Sequence, residues 1–104
     1  MKFKVTFRPL AEADLFELYQ HIAERDGPAI AGRYIDRIEA ACMALENFPV
    51  RGTRRDDIRP GLRTVGFERR VTIAFKIVGR EVVIIRIFYG GRDFERILHG
   101  SDDD

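Results

Sequence analysis

Cysteine occurs once in this sequence, at position 42. No intrachain disulfide can form, and such usage fits a reducing cytosol. Cys42 falls on the apolar face of a helical pattern, where a lone thiol serves as core filler rather than nucleophile. Long hydrophobic runs are also missing. None approaches the roughly 20 residues that span a bilayer, and the opening Met1-Lys2-Phe3-Lys4-Val5 enters strand-like alternation with no signal peptide visible. A cytoplasmic protein with no membrane partner is expected. Histidine stands only at 21 and 99, without HxxxH or Cys/His spacing, so no metal site is expected. GxxxxGK[ST] and GxSxG are both absent, which leaves no phosphate loop and no nucleophile elbow. No cofactor is implied.

The 104 residues that remain to be explained are 45% hydrophobic and 34% charged, a balance typical of one soluble globular domain. The domain is expected over 1–98, with an acidic and disordered tail at 99–104. The net charge of +1 conceals an asymmetry. Residues 1–48 carry 6 Lys/Arg and 8 Asp/Glu, whereas 49–96 carry 12 Lys/Arg and 6 Asp/Glu; the last eight residues add three Asp. A basic half of this kind attracts an acidic partner, either nucleic acid or an acidic protein segment.

Periodicity orders the chain. Phe3, Val5 and Phe7 alternate with Lys2, Lys4 and Thr6, predicting a first strand. Pro9 suits the first turn of a helix, and Glu12 and Asp14 complement its dipole. Ala11, Leu15, Leu18 and Ile22 mark one helix face. Asp26-Gly27-Pro28 breaks it, and Ala31, Tyr34/Ile35, Ile38, Cys42 and Leu45 mark a second helix that ends by Asn47 and Pro49. The pair reads as a helical hairpin. Residues 50–60 form a charged connection, and Leu62 to Phe67 a further strand. Glu68-Arg69 turns into a hairpin in which Val71, Ile73, Phe75 and Ile77 face one way and Thr72, Ala74 and Lys76 the other. Gly79-Arg80 has glycine first, as a type II′ turn requires. Val82 to Tyr89 is apolar on both faces except for Arg86, which must find a partner or reach solvent. A short segment, 92–98, follows. The expected fold is α+β, in the order β-α-α-β-β-β, with the helical hairpin on a mostly antiparallel sheet.

Chemistry concentrates in arginine. Arg54, Arg55, Arg59, Arg63, Arg69, Arg70, Arg86, Arg92 and Arg96, interleaved with Phe67, Tyr89 and Phe94, suit a concave face that recognises phosphates or carboxylates. Against this stands local pairing with Asp56, Asp57, Glu68, Glu81, Asp93 and Glu95.

The order of these segments resembles the RelE/ParE superfamily of type II toxin–antitoxin toxins, and its ParE branch most. The likeness runs through FRPLAEADLFELYQHIA, AGRYIDRIEAACMALENFP, GTRRDDIRPGLR and the closing RIFYGGRDFERIL. It implies a small toxin neutralised by a cognate ParD-like antitoxin, and it admits a higher-order toxin–antitoxin oligomer. ParE toxins poison DNA gyrase; RelE toxins cut mRNA on the ribosome. RelE ribonucleases supply lysines before the hairpin, an arginine in its first strand, another after its second and a tyrosine near the C-terminus. Here only Arg92 matches. The first-strand position falls on Thr72 and the tyrosine position near Leu98, and residues 50–70 contain arginine but no lysine. Arginine, with a pKa above about 12, is a poor proton carrier.

A non-enzymatic inhibitor of DNA gyrase is therefore the expected function. The alternatives are a ribosome-dependent ribonuclease using Arg92 and His99, or a non-toxic relative that only binds its antitoxin. Arg69, Arg70, Arg92, Phe94 and Arg96 are expected to meet the target. Arg59, Arg63, Arg86 and Tyr89 are expected to meet the antitoxin, in an apolar groove flanked by arginines.

Overall fold

A computed structural model describes residues 2–90 and 94–99 of the chain. The elements run β1 (Lys4–Phe7), α1 (Pro9–Asp26), α2 (Pro28–Met43), a 3-10 turn (Ala44–Glu46), β2 (Thr53–Arg54), β3 (Arg63–Phe67), β4 (Val71–Val78), β5 (Glu81–Tyr89) and α3 (Phe94–His99). The sheet order is β1-β5-β4-β3-β2. β1 lies parallel to β5 and every other pairing is antiparallel. The α+β architecture with a helical hairpin on a mostly antiparallel sheet is thus the one the periodicity predicts. Two elements are additional. Thr53–Arg54 forms a two-residue strand inside the expected connection, and the short C-terminal segment is a helix.

Local chemistry explains the boundaries. Pro9 and Pro28 occupy the first turns of their helices, where the missing N–H is no loss. Only Gly27 separates α1 from α2. Its φ of 97° lies in a region that side chains avoid, and it ends one helix by donating its N–H to the Ala23 carbonyl while its own carbonyl accepts from Ala31. Gly52, with φ 78°, lets β2 approach β3, since a Cβ there would stand 2.3 Å from the Thr64 carbonyl oxygen. Gly79 has φ 60° and Arg80 no positive φ, in keeping with the type II′ turn.

Both faces of the sheet are covered. On one, Ala11, Leu15, Leu18 and Ile22 of α1 and Ala31, Ile38 and Cys42 of α2 pack on Val71, Ile73, Phe75, Val82, Ile84 and Ile87. Ile35 and Tyr34 are half-buried at the margin of this core. On the other face, Ile58 and Leu62 of the long connection and Leu98 of α3 cover Ala74, Val83, Ile85 and Phe88. This second core is why β5 is apolar on both sides.

A bulge changes the phase of β5. The register passes from Phe75 opposite Ile84 to Ala74 opposite Arg86, leaving Ile85 as the extra residue. Val82 and Ile84 face the helices before it, and Ile87 and Tyr89 after it. At this point β1 has ended, since its last pairing is Phe7 with Ile84. The exposed edge of β5 is taken up by Asp14 of α1. Its Oδ2 accepts from the Ile87 backbone N–H at 2.8 Å and from Arg86 Nε at 2.8 Å, and its Oδ1 accepts from Arg86 Nη2 at 3.0 Å. The arginine expected to need a partner has one.

Two stability predictions follow from these contacts. Leu18→Ala, at a side chain 6% exposed, should lower the unfolding free energy by about 2–5 kcal/mol in a urea titration. Asp14→Ala removes a buried carboxylate from both the Arg86 guanidinium, 13% exposed, and the Ile87 N–H, and should cost about 3–5 kcal/mol. Asp14→Ala combined with Arg86→Met should recover part of that loss, because the half-buried charge is removed together with its carboxylate; a double variant less stable than Asp14→Ala alone contradicts this account.

Candidate functional site

An open cleft of about 550 Å³ lies where the helical hairpin meets the β3–β4 turn. The end of α1 brings Arg25 and Asp26. The first turns of α2 bring Ile30, Arg33, Tyr34 and Arg37, a spacing that puts all four on one helix face. Glu68 and Arg70 come from the β3–β4 turn and Tyr89 from the end of β5.

Within the cleft two arginines are already held. Arg37 grips Glu68 with both prongs, Nε to Oε2 at 3.0 Å and Nη2 to Oε1 at 3.1 Å. Its guanidinium also lies 5.2 Å from the Tyr34 ring centroid. Arg25 Nε meets Asp26 Oδ2 at 2.9 Å. Tyr34 packs edge-on against Tyr89 at 6.3 Å and tilted against Phe67 at 6.3 Å. By contrast, the guanidiniums of Arg33, Arg69 and Arg70 form no ion pair or hydrogen bond among the described residues. The turn that carries two of them is strained. Glu68 and Arg69 have φ of 49° and 65°, closed by Arg70 N–H to the Phe67 carbonyl at 3.3 Å. Those are the central positions of a type I′ turn, which favours Asn and Gly.

A second arginine group serves the fold. Arg55 bonds Asp57 at 2.8 Å and also Glu95 of α3, while Arg59 Nη2 donates to the Leu98 carbonyl at 2.7 Å. Arg54 pairs with Asp56 at 2.9 Å. Asp56 accepts from the Gly61 N–H as well, and that bond and then Arg54 hold its carboxyl below its usual pKa. These contacts fasten the connection and α3 over the second core.

The residues expected to bind therefore separate. Arg70 and Tyr89 meet in the cleft, with Arg69 on the adjoining turn. Arg59 lies on the opposite side of the sheet under α3, and Arg86 is turned inward to Asp14. Arg63 stands on β3 with Nη1 3.5 Å from the Arg51 carbonyl, and Arg96 is exposed on α3. Arg92 lies outside the described residues, as do the side chains of Phe94 and His99. This cleft is arginine-rich, with Ile22 and Ile30 its aliphatic members. Arg25, Arg33 and Arg37 were not anticipated because they sit in the net-acidic half of the chain. Only the shared helical face of positions 30, 33, 34 and 37 signals Arg33 and Arg37, and no such spacing marks Arg25 on α1. Cys42 is fully buried, and desolvation pushes its thiol up to about 12, which suits filler and not a nucleophile. Among the described residues no cluster of three His, Cys, Asp or Glu side chains is placed to hold a metal, and no helix is long and apolar enough to cross a membrane.

Fold and comparison agree on the class of protein. Residues 5–94 match the family described as the ParE toxin of the type II toxin–antitoxin system parDE. The chain belongs to this family, within the RelE/ParE superfamily, and its partner class is a cognate antitoxin. It is 35% identical over 83 residues to Toxin ParE3 of Caulobacter vibrioides, a match covering 80% of this chain and 81% of that one. A solved structure of the chromosomal ParDE system from P. aeruginosa superposes with a TM-score of 0.75 at 28% identity, covering 86% of this chain and 97% of that one. The RelBE2 toxin–antitoxin complex from Mycobacterium tuberculosis gives 0.58 at 21% identity, over 86% and 99% of the two chains, a likeness of fold alone.

The clamp across the cleft has a pH signature. Arg37 holds the Glu68 carboxyl below its ordinary 4.5. A carboxylate with a depressed folded-state pKa stabilises the fold above the ordinary value and loses that effect as pH falls through the folded one. Between about pH 5 and about pH 3 the urea midpoint of the native chain should therefore fall further than that of Glu68→Gln, by a small margin because both partners are exposed. Parallel curves for the two proteins would refute the clamp.

Proposed function

We propose that this chain is a toxin that inhibits DNA gyrase by binding, without itself cutting nucleic acid, and that a ParD-like antitoxin neutralises it. One observation supports the reading above the others. The position near which the RelE ribonucleases carry their C-terminal tyrosine is Leu98, fully buried in the second core. Thr72 stands where their first-strand arginine would be, and the connection before the hairpin offers only arginines, whose pKa above about 12 suits charge and not proton transfer. The groups available are guanidiniums fit for charge-assisted contacts. In this reading Arg69, Arg70, Arg92, Phe94 and Arg96 approach the target. Arg59, Arg63 and Tyr89 approach the antitoxin, and Arg86 contributes by steadying β5.

Purified toxin should inhibit supercoiling or trap cleaved DNA in a gyrase assay. Arg69→Ala with Arg70→Ala should weaken that effect by about 1.5–3 kcal/mol per lost contact, and His99→Ala should leave it intact. Melting curves of each variant separate lost contacts from lost fold. Cleavage of ribosome-bound mRNA that disappears with His99→Ala would overturn the proposal and favour the ribonuclease.

A further inference from the structure

The cleft holds more positive charge than the chain satisfies. Arg25, Arg33, Arg37 and Arg70 line it against two carboxylates, Asp26 and Glu68. Those carboxylates are committed to Arg25 and Arg37. Arg33 of α2 and Arg70 of the β3–β4 turn both line it, with neither side chain paired among the described residues. Tyr34 and Tyr89, each half-buried and in edge contact at 6.3 Å, line the same cleft. The strained Glu68-Arg69 turn is held in place by Arg37, so the fold maintains a costly conformation at the rim of this cleft.

We propose that the cleft is a binding site for single-stranded nucleic acid, in which Arg33 and Arg70 hold a backbone phosphate and Tyr34 and Tyr89 present a surface for an unpaired base. Two observations favour a nucleic-acid strand over an acidic peptide. Guanidinium forks beside partly exposed aromatic rings are the combination that single strands use, with charge tracking the backbone and π-faces receiving bases of any sequence. A peptide helix would seek apolar anchors, and beyond the buried Ile22 the cleft offers only Ile30. A volume of about 550 Å³ also suits one or two nucleotides. The cleft shares Arg70 with the proposed target contact and Tyr89 with the antitoxin contact, but strand binding is measured with neither gyrase nor antitoxin present, so failure here is distinct from failure of the target reading.

The test uses the full chain and a fluorescein-labelled mixed-sequence DNA strand of about 12 nucleotides, followed by anisotropy at low salt. Arg33→Glu with Arg70→Glu should weaken binding by about tenfold or more, and binding should fall with added salt. The control, Arg51→Glu with Arg80→Glu, carries the same change in net charge at exposed positions outside the cleft and should lose much less. Because the chain has three tyrosines and no tryptophan, the bound strand should also quench tyrosine emission, an effect absent in the cleft variant. Should the glutamate pair unfold the protein, Arg33→Gln with Arg70→Gln replaces it. No binding, equal losses in cleft and control variants, or displacement of the strand by polyglutamate at equal charge concentration would each overturn the proposal, the last by assigning the cleft to an acidic peptide.

Discussion

The Asp14 carboxylate is the contact on which the arrangement of this molecule turns. β1 flanks β5 only as far as Ile84. Past that point β5 bulges, its side chains change phase, and its backbone edge has no strand beside it. Asp14 substitutes for the missing strand by accepting the Ile87 N–H, and the same carboxylate neutralises Arg86. One side chain of α1 thus fixes the helix to the sheet where regular pairing fails. A buried ion pair of this kind adds little net stability over an apolar pair of similar size, yet leaving either half alone is costly. Its effect is on position: the angle of α1, and through the single-residue link at Gly27 the place of α2.

That placement builds the cleft. With α1 pinned at Asp14, its last turn carries Arg25 beyond the sheet, and α2 returns with Ile30, Arg33, Tyr34 and Arg37 facing the end of β5. Phase matters as much as placement. Without the extra residue at Ile85, position 89 would face the second core; with it, Tyr89 joins the helix side and meets Tyr34. The fold treats its arginines in two ways. Arg54, Arg55, Arg59 and Arg86 are tied to carboxylates or carbonyls and hold elements together, whereas Arg33, Arg69 and Arg70 remain unpaired among the described residues.

Much of this was legible in the residues. The i, i+4, i+7 spacing from Ala11 to Ile22 and the alternation from Val71 to Ile77 each report a single buried face, and the structure buries those faces. Gly27-Pro28 and Gly79-Arg80 carry turn chemistry that reads directly. The two-residue β2 was not legible, because it depends on Gly52 fitting beneath the Thr64 carbonyl, a long-range contact. Neither was the bulge, since Ile84, Ile85 and Ile87 are alike in character and periodicity alone cannot say which is extra. The binding residues read least well. Charge counted along the chain pointed to the C-terminal half, but the cleft draws Arg25, Arg33 and Arg37 from the acidic half, where Asp36 and Glu39 offset them in any tally. Sequence charge averages over faces that a helix keeps apart.

In the proposed function the toxin binds a DNA-handling enzyme and performs no cleavage of its own. The most direct measurement is induced expression in bacteria with two reporters followed together, DNA-damage signalling and the integrity of translated mRNA, with and without a co-expressed cognate antitoxin. The account predicts growth arrest with rising DNA-damage signalling and intact mRNA, reversed by the antitoxin. Arrest with fragmented mRNA and no DNA-damage signal would contradict it.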